Sequence, residues 1–256
     1  MAQLISCVIV PCALVPVYNH QQVLAQTLAN IRQFGLPVIL VDDGSNELCK
    51  NVMRELAAAD PANVHLIERP VNGGKGAALK TGLQAAAHLG FSHTLQIDAD
   101  GQHNSADIPR FLQLAESAPS TLIAGMPEYD ESVPKGRLYG RYLTHVWVWI
   151  NTLSFDITDS MCGFRVYPVA RTNALIDTEP MGNRMDFETE FMVRWHWRHW
   201  PLQQLSTRVI YPEQGVSHFQ MWRDNKLIAW MHTRLFFGML WRLPRILLNK
   251  FRAEVV

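Results

Sequence analysis

The chain has 256 residues, of which 48% are hydrophobic, and its 23 Lys and Arg residues balance its 23 Asp and Glu residues. This length and apolar content suffice for one large domain with a substantial core, and they exclude a disordered chain or a small disulfide-stapled protein. The formal charge of zero argues against a general nucleic-acid binder, so we expect no nucleic-acid partner.

The cysteines and the N-terminal residues predict a location in the cytoplasm. The four cysteines contain no CxxC pair and no His/Cys spacing suited to zinc: Cys7, Cys12, Cys49 and Cys162. This pattern favours reduced thiols and offers no metal site. The apolar run at residues 4–17 is too short to span a bilayer and lacks a signal-peptide cleavage pattern, so we do not expect secretion.

Strand and helix patterns alternate along the first hundred residues. The strand patterns occupy residues 4–19, 37–45, 63–69 and 93–100. The helix patterns occupy residues 23–35, 47–59 and 75–90. This alternation predicts an α/β fold, with a Rossmann-like, mostly parallel sheet flanked by helices on both faces. In such sheets ligands bind beyond the carboxyl ends of the strands.

Four carboxylates follow the ends of two of these strands: Asp42, Asp43, Asp98 and Asp100. Like charges gathered at one edge raise one another's pKa unless a cation is present. Asp98 and Asp100, with the amide oxygen of Gln102, suit a hard divalent cation such as Mg²⁺ or Mn²⁺. The alternative is a solvated turn with exposed acids.

A glycine-rich segment, NGGKGAALKTG at residues 72–82, opens one of the helix patterns. Its glycines and Lys75 at a helix start favour an anion such as a phosphate group. The segment fits neither the GxxxxGK[ST] phosphate loop nor the GxGxxG dinucleotide fingerprint. It is equally compatible with a simple Gly-rich entry into a helix.

Five motifs, taken together in this order and spacing, resemble family 2 glycosyltransferases, especially the branch of dolichol- and polyprenyl-phosphate sugar transferases. They are PVYN at 16–19, VDDGS at 41–45, NGGKGAAL at 72–79, IDADGQH at 97–103 and DSMCGFRVY at 159–167. The later stretches RMDFETEFMVRW and YPEQGVSHF look similar to the same family. The resemblance covers roughly residues 5–220.

This resemblance implies a GT-A fold that binds a nucleotide-diphosphate sugar through a divalent metal, Mg²⁺ or Mn²⁺. UDP is favoured because it is the commoner donor nucleotide in the family, and the sugar would be a hexose or an N-acetylhexosamine. The implied donor-binding residues are Pro16, Val17 and Tyr18 at the base and ribose, Asp42 and Asp43 at the base, Lys75 near the nucleotide, and Asp98 and Asp100. The implied metal site comprises Asp98, Asp100 and Gln102.

The resemblance also implies inversion at the anomeric carbon by direct displacement. A phosphate acceptor attacks without a base, whereas a hydroxyl acceptor needs a carboxylate or His within reach. The candidate catalytic or acceptor-contacting residues are Asp159, Asp186, Glu188, Glu190 and Arg165. Helical spacing places Asp186 and Glu190 on one face and Glu188 roughly opposite. The alternatives are acids that favour a helix N-terminus, and an Arg165 that supports its loop.

The sequence departs from the pattern of this family branch at one position that bears on the acceptor. Where the polyprenyl-phosphate branch usually carries an arginine in a GSR-like motif, this chain reads AGMPEY at 124–129. Arg137 or Arg141 could substitute for that arginine. His218, in GVSHF, is a candidate contact for the pyrophosphate or the acceptor.

Residues 223–256 form a basic, aromatic tail that we separate from a GT-A domain at residues 1–222. From residue 194 onward there are ten Lys and Arg against three Asp and Glu. Arg234, Arg242 and Arg245 interrupt the apolar run and Pro244 is expected to break it, which argues against a transmembrane helix. Because the arginines share one side of the helical wheel, we expect an amphipathic helix in the membrane interface, beside anionic headgroups. The alternative is a helix packed on the domain or on a partner protein.

The sequence therefore predicts a metal-dependent glycosyltransferase bound peripherally to the cytoplasmic face of the membrane, with a lipid-linked or polyprenyl-phosphate acceptor. Two alternatives remain. A nucleotidyltransferase of similar fold would need a Gly-rich loop directly after its first strand, where this chain reads PVYNHQQ. A catalytically silent scaffold or binding protein would keep the fold without needing the paired acids.

Overall fold

A computed structural model describes residues 8–128, 135–209 and 220–253 of the chain. The strands are β1 Pro11–Val17, β2 Val38–Asp42, β3 Val64–Glu68, β4 His93–Gln96, β5 Leu122–Glu128, β6 Arg165–Pro168 and β7 Leu202–Arg208. The helices are α1 Gln21–Arg32, α2 Glu47–Ala59, α3 Lys75–His88, α4 Ile108–Ser117, α5 Lys135–Thr152, α6 Val169–Thr178, α7 Phe187–Trp197 and α8 Met221–Ala253.

The strands form one seven-stranded sheet in the order β3-β2-β1-β4-β6-β5-β7. Only β6 runs antiparallel, between β4 and β5. The remaining pairs are parallel, as the βαβ pattern predicts. The helix pattern at 47–59 matches α2 residue for residue because Asn46 caps it, its side chain accepting a hydrogen bond from the Cys49 N–H.

Helices cover both faces of the sheet and produce two apolar layers. One layer packs side chains of α1, α2 and α4 against the sheet, and the other packs α3, α6, α7 and part of α8 on the opposite face. Close approach of α3 to β1 depends on Gly82, where an added Cβ would lie 2.1 Å from a methyl carbon of Leu14. This packing holds the glycine-rich start of α3 at the carboxyl end of the sheet.

The tail helix α8 packs on the domain with one face and exposes apolar groups on the opposite face. Met231 and Leu235 are fully buried, and α8 contacts α5 and α7. Four large side chains spaced along the opposite face are exposed, and we call them the aromatic stripe: Trp230, Phe237, Trp241 and Leu248. Among the described residues, no helix combines the length and apolar character needed to cross a membrane.

Two expectations for the tail are wrong in detail. Arg234 and Arg242 do not line a headgroup-facing edge, since they pair with Glu190 and Glu179 of the domain at 3.0 and 3.7 Å. The helix also continues through Pro244. Proline removes one backbone N–H donor, and because Pro244 lies on the exposed side of α8, water can satisfy the carbonyl oxygen left behind.

The contact between α5 and α8 contains a buried histidine that makes stability depend on pH. Asn151 Nδ2 donates to His232 Nδ1 at 3.2 Å, and Trp147 stacks on the same ring. Burial lowers the pKa of His232 from 6.5 to about 4. The unfolded chain therefore takes up this proton at higher pH than the folded chain, so stability falls as the pH drops from 6.5 towards 4.

We expect the His232→Gln variant to lose less stability than the wild type between pH 7 and pH 4.5, by about 2 to 3 kcal/mol. Urea unfolding at the two pH values measures the difference. His88→Gln, at the exposed end of α3, is the matched control and should behave as the wild type. An identical pH dependence in the wild type and His232→Gln would contradict a neutral, buried His232.

Candidate active site

The carboxyl ends of β1, β2 and β4 lie side by side because these strands are parallel neighbours. Pro16 and Val17 end β1 as buried residues, and Tyr18 follows them half-buried. Asp42 ends β2, and Asp98 comes two residues after β4. The predicted gathering of these side chains at one edge of the sheet is therefore present.

Asp43 fastens the glycine-rich segment to β2. Its carboxylate accepts hydrogen bonds from the N–H groups of Gly73 and Gly74, at 2.9 and 2.7 Å, and pairs with Arg69 Nε at 3.0 Å. In Asp42, Oδ1 accepts from the Ser45 N–H, while the buried Oδ2 atom meets no hydrogen-bond donor among the described residues. Asp42 Oδ2 is therefore the carboxylate oxygen of this pair that remains available to accept a hydrogen bond from a ligand.

Lys75, the first residue of α3, bridges two carboxylates at the centre of the edge. Its Nζ lies 2.8 Å from Asp98 Oδ1, 2.9 Å from Asp98 Oδ2 and 3.0 Å from Glu188 Oε2. Burial alone would lower the pKa of Lys75, but the charges of Asp98 and Glu188 raise it well above its usual range. The side chain is a permanent ammonium ion at the place where the sequence predicts a diphosphate.

The pKa values of Asp98 and Asp100 shift in opposite directions in this environment. Burial opposes ionisation of Asp98, but Lys75 and His103 hold the pKa of that carboxyl well below its usual range. Burial and the neighbouring Asp98 charge raise the pKa of Asp100. Asp98 is therefore a stable anion. The charges of His103 and Lys75 only partly offset the rise at Asp100, which forms no ion pair among the described residues, so a cation would stabilise its carboxylate.

The donor set fits Mg²⁺ or Mn²⁺ in its chemistry. Asp98 and Asp100 would supply carboxylate oxygens and Gln102 an amide oxygen, the hard donors that these ions prefer. Within residues 8–128, 135–209 and 220–253, no group of three or more His, Cys, Asp or Glu side chains is arranged to hold a metal. Such an ion would therefore also need water or ligand phosphate oxygens, which is usual for Mg²⁺.

Two buried polar side chains hold Glu188 through a series of hydrogen bonds. Gln96 Nε2 donates to Glu188 Oε1 at 2.7 Å, and the Tyr167 hydroxyl donates to Gln96 Oε1 at 2.8 Å. Burial raises the pKa of Tyr167 to about 12, so this hydroxyl stays protonated. Glu188, predicted as a catalytic candidate, thus lies at the site with both oxygens engaged.

Asp159 is held by neighbouring groups. Arg141 contacts both of its oxygens, at 2.6 and 2.7 Å, and the N–H groups of Met161 and Cys162 donate to Oδ1 at 2.9 Å. Burial opposes ionisation, but His145 and Arg141 hold the pKa of Asp159 well below its usual range. Asp159 is therefore a poor general base in this arrangement, and Arg141 is engaged by it.

Arg165 is fully buried, away from any solvent-facing anion site. Its guanidinium donates to the carbonyl oxygens of Ser160, Cys162 and Glu188 at 2.7 to 3.0 Å. These contacts tie the loop after α5 to the start of α7. The structure therefore favours the loop-supporting alternative over a catalytic or phosphate-binding Arg165.

The acids around α7 point in the two directions that helical spacing predicts. Glu188 faces Lys75, while the fully buried Glu190 pairs with Arg194 at 2.7 Å and Arg234 at 3.0 Å. Asp186 is buried and accepts a hydrogen bond from the Arg184 N–H at 3.1 Å. Glu190 fastens α8 to the domain, so of these acids Glu188 belongs to the candidate site.

Two predicted acceptor contacts lie outside the described residues: His218, and the side chain of Arg137. Other residues of the site escaped the sequence analysis, namely Arg69, Gln96, His103 and Tyr167. Gln96 leaves a signal in the sequence, because a polar residue stands inside the apolar strand HTLQI. Arg69, His103 and Tyr167 stand beside or within apolar runs, as many residues outside functional sites do, so the sequence does not single them out.

The chain is similar in sequence or in fold to several known proteins. The undecaprenyl-phosphate mannosyltransferase of Micrococcus luteus is 27% identical over 187 residues, which are 68% of this chain and 74% of that protein. Glucosyl-3-phosphoglycerate synthase from Mycobacterium tuberculosis, in complex with Mn²⁺ and UDP-glucose, has a TM-score of 0.63 at 14% identity, covering 91% of this chain and 79% of its own. A mannosyltransferase from Pyrobaculum calidifontis, in complex with GDP-mannose and Mn²⁺, has a TM-score of 0.59 at 14% identity, covering 98% and 76%.

The two structural likenesses show a shared fold and confirm the predicted GT-A architecture. The model of the family described as Glycosyl transferase family 2 matches residues 12–181, which is more than half of the chain. The matched region contains all of β1 except its first residue, strands β2 to β6, and the acids at the sheet edge. The chain therefore belongs to glycosyl transferase family 2.

Proposed function

We propose that this chain is an inverting glycosyltransferase that moves a hexose or N-acetylhexosamine from a nucleotide-diphosphate sugar, UDP favoured, to a lipid-linked acceptor. The observation that carries the proposal is the cluster of Lys75, Asp98 and Asp100 at the carboxyl edge of β1, β2 and β4. A cation beside two acids at this edge suits a diphosphate bound together with a metal. Solved structures of this fold hold UDP-glucose or GDP-mannose with Mn²⁺.

On the donor side, we assign Asp98, Asp100 and Gln102 to the metal. A bound Mg²⁺ or Mn²⁺ would supply charge stabilisation for the departing nucleoside diphosphate. Lys75 adds a second positive charge to the same leaving group. We place the base and ribose against Pro16, Val17, Tyr18, Asp42 and Asp43, which line the adjoining strand ends.

On the acceptor side, the geometry favours a group that is already an anion. Of the candidate bases, Glu188 is paired with Lys75, Asp159 with Arg141, and Glu190 with two arginines. The fourth, Asp186, is buried and accepts a hydrogen bond from the Arg184 N–H. A phosphate attacks without giving up a proton, so it needs no such base. The name of the Micrococcus luteus relative contains undecaprenyl phosphate, which agrees with a polyprenyl-phosphate acceptor. The roles of Arg137, Arg141 and His218 towards that phosphate stay predictions, as does the domain boundary at residue 222.

A lipid acceptor explains the exposed apolar surface. Besides the aromatic stripe of α8, three large side chains of α5 are each more than 60% exposed: Tyr139, Tyr142 and Leu143. Arg223, Lys226 and Arg245 are exposed on α8 and suit anionic headgroups. We infer that α5 and α8 lie on the membrane surface, on its cytoplasmic face, and bring a lipid phosphate to the sheet edge.

The test is transfer of a radiolabelled sugar to undecaprenyl phosphate in vesicles, from UDP-glucose, UDP-N-acetylglucosamine and GDP-mannose, each with Mn²⁺ or EDTA. We expect one donor to yield an organic-soluble product only with the metal. Product from a nucleoside triphosphate and a sugar phosphate would instead identify a nucleotidyltransferase. No product, together with no binding of any donor, would favour the silent scaffold.

A further inference from the structure

Gln96 lies between the two carboxylates that Lys75 bridges. Its side-chain nitrogen Nε2 is 2.7 Å from Glu188 Oε1 and 3.4 Å from Asp98 Oδ1. The amide group and the Lys75 ammonium thus contact the same pair of acids, Asp98 and Glu188. Gln96 is fully buried in β4, and a buried amide must have partners for both its oxygen and its nitrogen.

The orientation of this amide is determined by its neighbours. Carboxylates only accept hydrogen bonds, so the NH₂ of Gln96 must face Asp98 and Glu188. Its oxygen therefore faces Tyr167, whose hydroxyl donates to it at 2.8 Å. In the series of contacts from Tyr167 to Gln96, Glu188 and Lys75, each hydrogen-bond donor therefore meets an acceptor. Arg165 also holds the backbone of Glu188 in place, since its Nη1 atom donates to the carbonyl oxygen of Glu188 at 3.0 Å.

We propose that Gln96 is a positioning residue, supported by Tyr167, that fixes Glu188 and thereby holds the Lys75 ammonium at the donor site. The inference rests on the proposed function for its effect on donor binding. Without the amide, Glu188 Oε1 keeps no donor among the described residues and its carboxylate rotates, so Lys75 loses one of its two anchors. The ammonium then samples positions away from the diphosphate, and part of the binding free energy is spent on ordering it again.

The first measurement needs no ligand. Acetylation of Lys75 by an N-hydroxysuccinimide ester, followed by peptide mass spectrometry, reports how tightly its side chain is held. We expect Gln96→Met to accelerate labelling of Lys75 at least about fivefold, while labelling of the half-buried Lys50 on α2 stays unchanged. Unaltered labelling of Lys75 in a folded Gln96→Met protein would overturn the proposal, whatever the chain binds.

The second measurement is a double-mutant cycle on the dissociation constant of UDP or GDP with Mn²⁺, whichever the wild type binds. We expect Gln96→Met to weaken binding about tenfold in the wild-type background and less than twofold in a Glu188→Gln background. An equal loss in both backgrounds would mean that Gln96 acts through general packing, and would overturn the proposal. If the wild type binds neither nucleotide, the proposed function fails, while the labelling result still decides the role of Gln96.

Two further variants keep the test decisive. Thr94→Val changes a fully buried polar residue on the same face of β4, two positions earlier, whose hydroxyl meets no partner among the described residues. It should alter neither labelling nor binding. If Gln96→Met fails to fold by thermal unfolding, Tyr167→Phe removes only the hydroxyl that fixes the amide. That variant should show the same coupling to Glu188 with a smaller loss, about two- to threefold.

Discussion

Replacing Asp100 by Asn is expected to abolish metal-dependent binding of the nucleoside diphosphate without unfolding the protein. Asn keeps the size of the side chain but removes the charge that a divalent cation would neutralise. In the ligand-free protein, burial and Asp98 raise the pKa of Asp100, so the neutral amide relieves a repulsion and stability should not fall.

The measurement is thermal unfolding with UDP, GDP, CDP or ADP, each in Mn²⁺ or EDTA. A ligand at a hundred times its dissociation constant adds about 2.7 kcal/mol, which moves the midpoint by about 5 to 10 °C in a domain of this size. We expect this shift for one diphosphate in the wild type with Mn²⁺, and its loss with EDTA or in Asp100→Asn.

Asp177→Asn, on the exposed surface of α6, is the control and should keep the full shift. A metal-dependent shift of undiminished size in Asp100→Asn would show that the metal is held elsewhere. A shift that persists in EDTA would show that the nucleotide binds without a divalent cation.

Replacing three aromatic residues of the stripe should release the protein from membranes. Trp230, Phe237 and Trp241 are 60%, 64% and 86% exposed on the face of α8 that points away from the core. Each large apolar side chain that leaves water gains about 1.5 to 3 kcal/mol. The triple change to Gln should therefore weaken partitioning by more than about a hundredfold, so the variant stays in the supernatant when vesicles with anionic lipid are pelleted.

These substitutions leave the buried face of α8 intact. Deleting the helix would instead remove Met231 and Leu235 from the core and confuse unfolding with release. The control is Leu48→Gln with Leu89→Gln, two exposed apolar residues on α2 and at the end of α3. Continued pelleting of the triple variant would place the membrane contact elsewhere.

The alternation of strands and helices was readable from the sequence because each element carries its own periodicity. The acids at 42, 43, 98 and 100 were readable because they follow parallel strands, whose carboxyl ends meet at one edge. The antiparallel β6 was not readable, since its direction depends on how the chain returns to the sheet between β4 and β5. Its position brings Tyr167 to Gln96 and Arg165 to the backbone of Glu188.

The tail shows the same division between local pattern and tertiary contact. A helical wheel groups Arg234, Arg242 and Arg245 on one side, and the sequence suggested anionic lipid as their partner. In the fold, Arg234 pairs with the buried Glu190 and Arg242 pairs with Glu179, so the side of α8 that points away from the domain carries the aromatic stripe instead. Periodicity shows which residues share a face, but it does not show which face meets the domain.

By itself, the sequence determined the α/β class, the family and the set of acids at the carboxyl edge of the sheet, since the alternation of strands and helices and the local motifs encode them. Only the tertiary structure decided which of these groups are already paired. Lys75 pairs with Asp98, 23 positions later in the chain, and with Glu188, 113 positions later. Such pairs depend on distances between side chains far apart in sequence. Their charges decide which carboxylate stays ionised, which one has its pKa raised and which group only supports its neighbours.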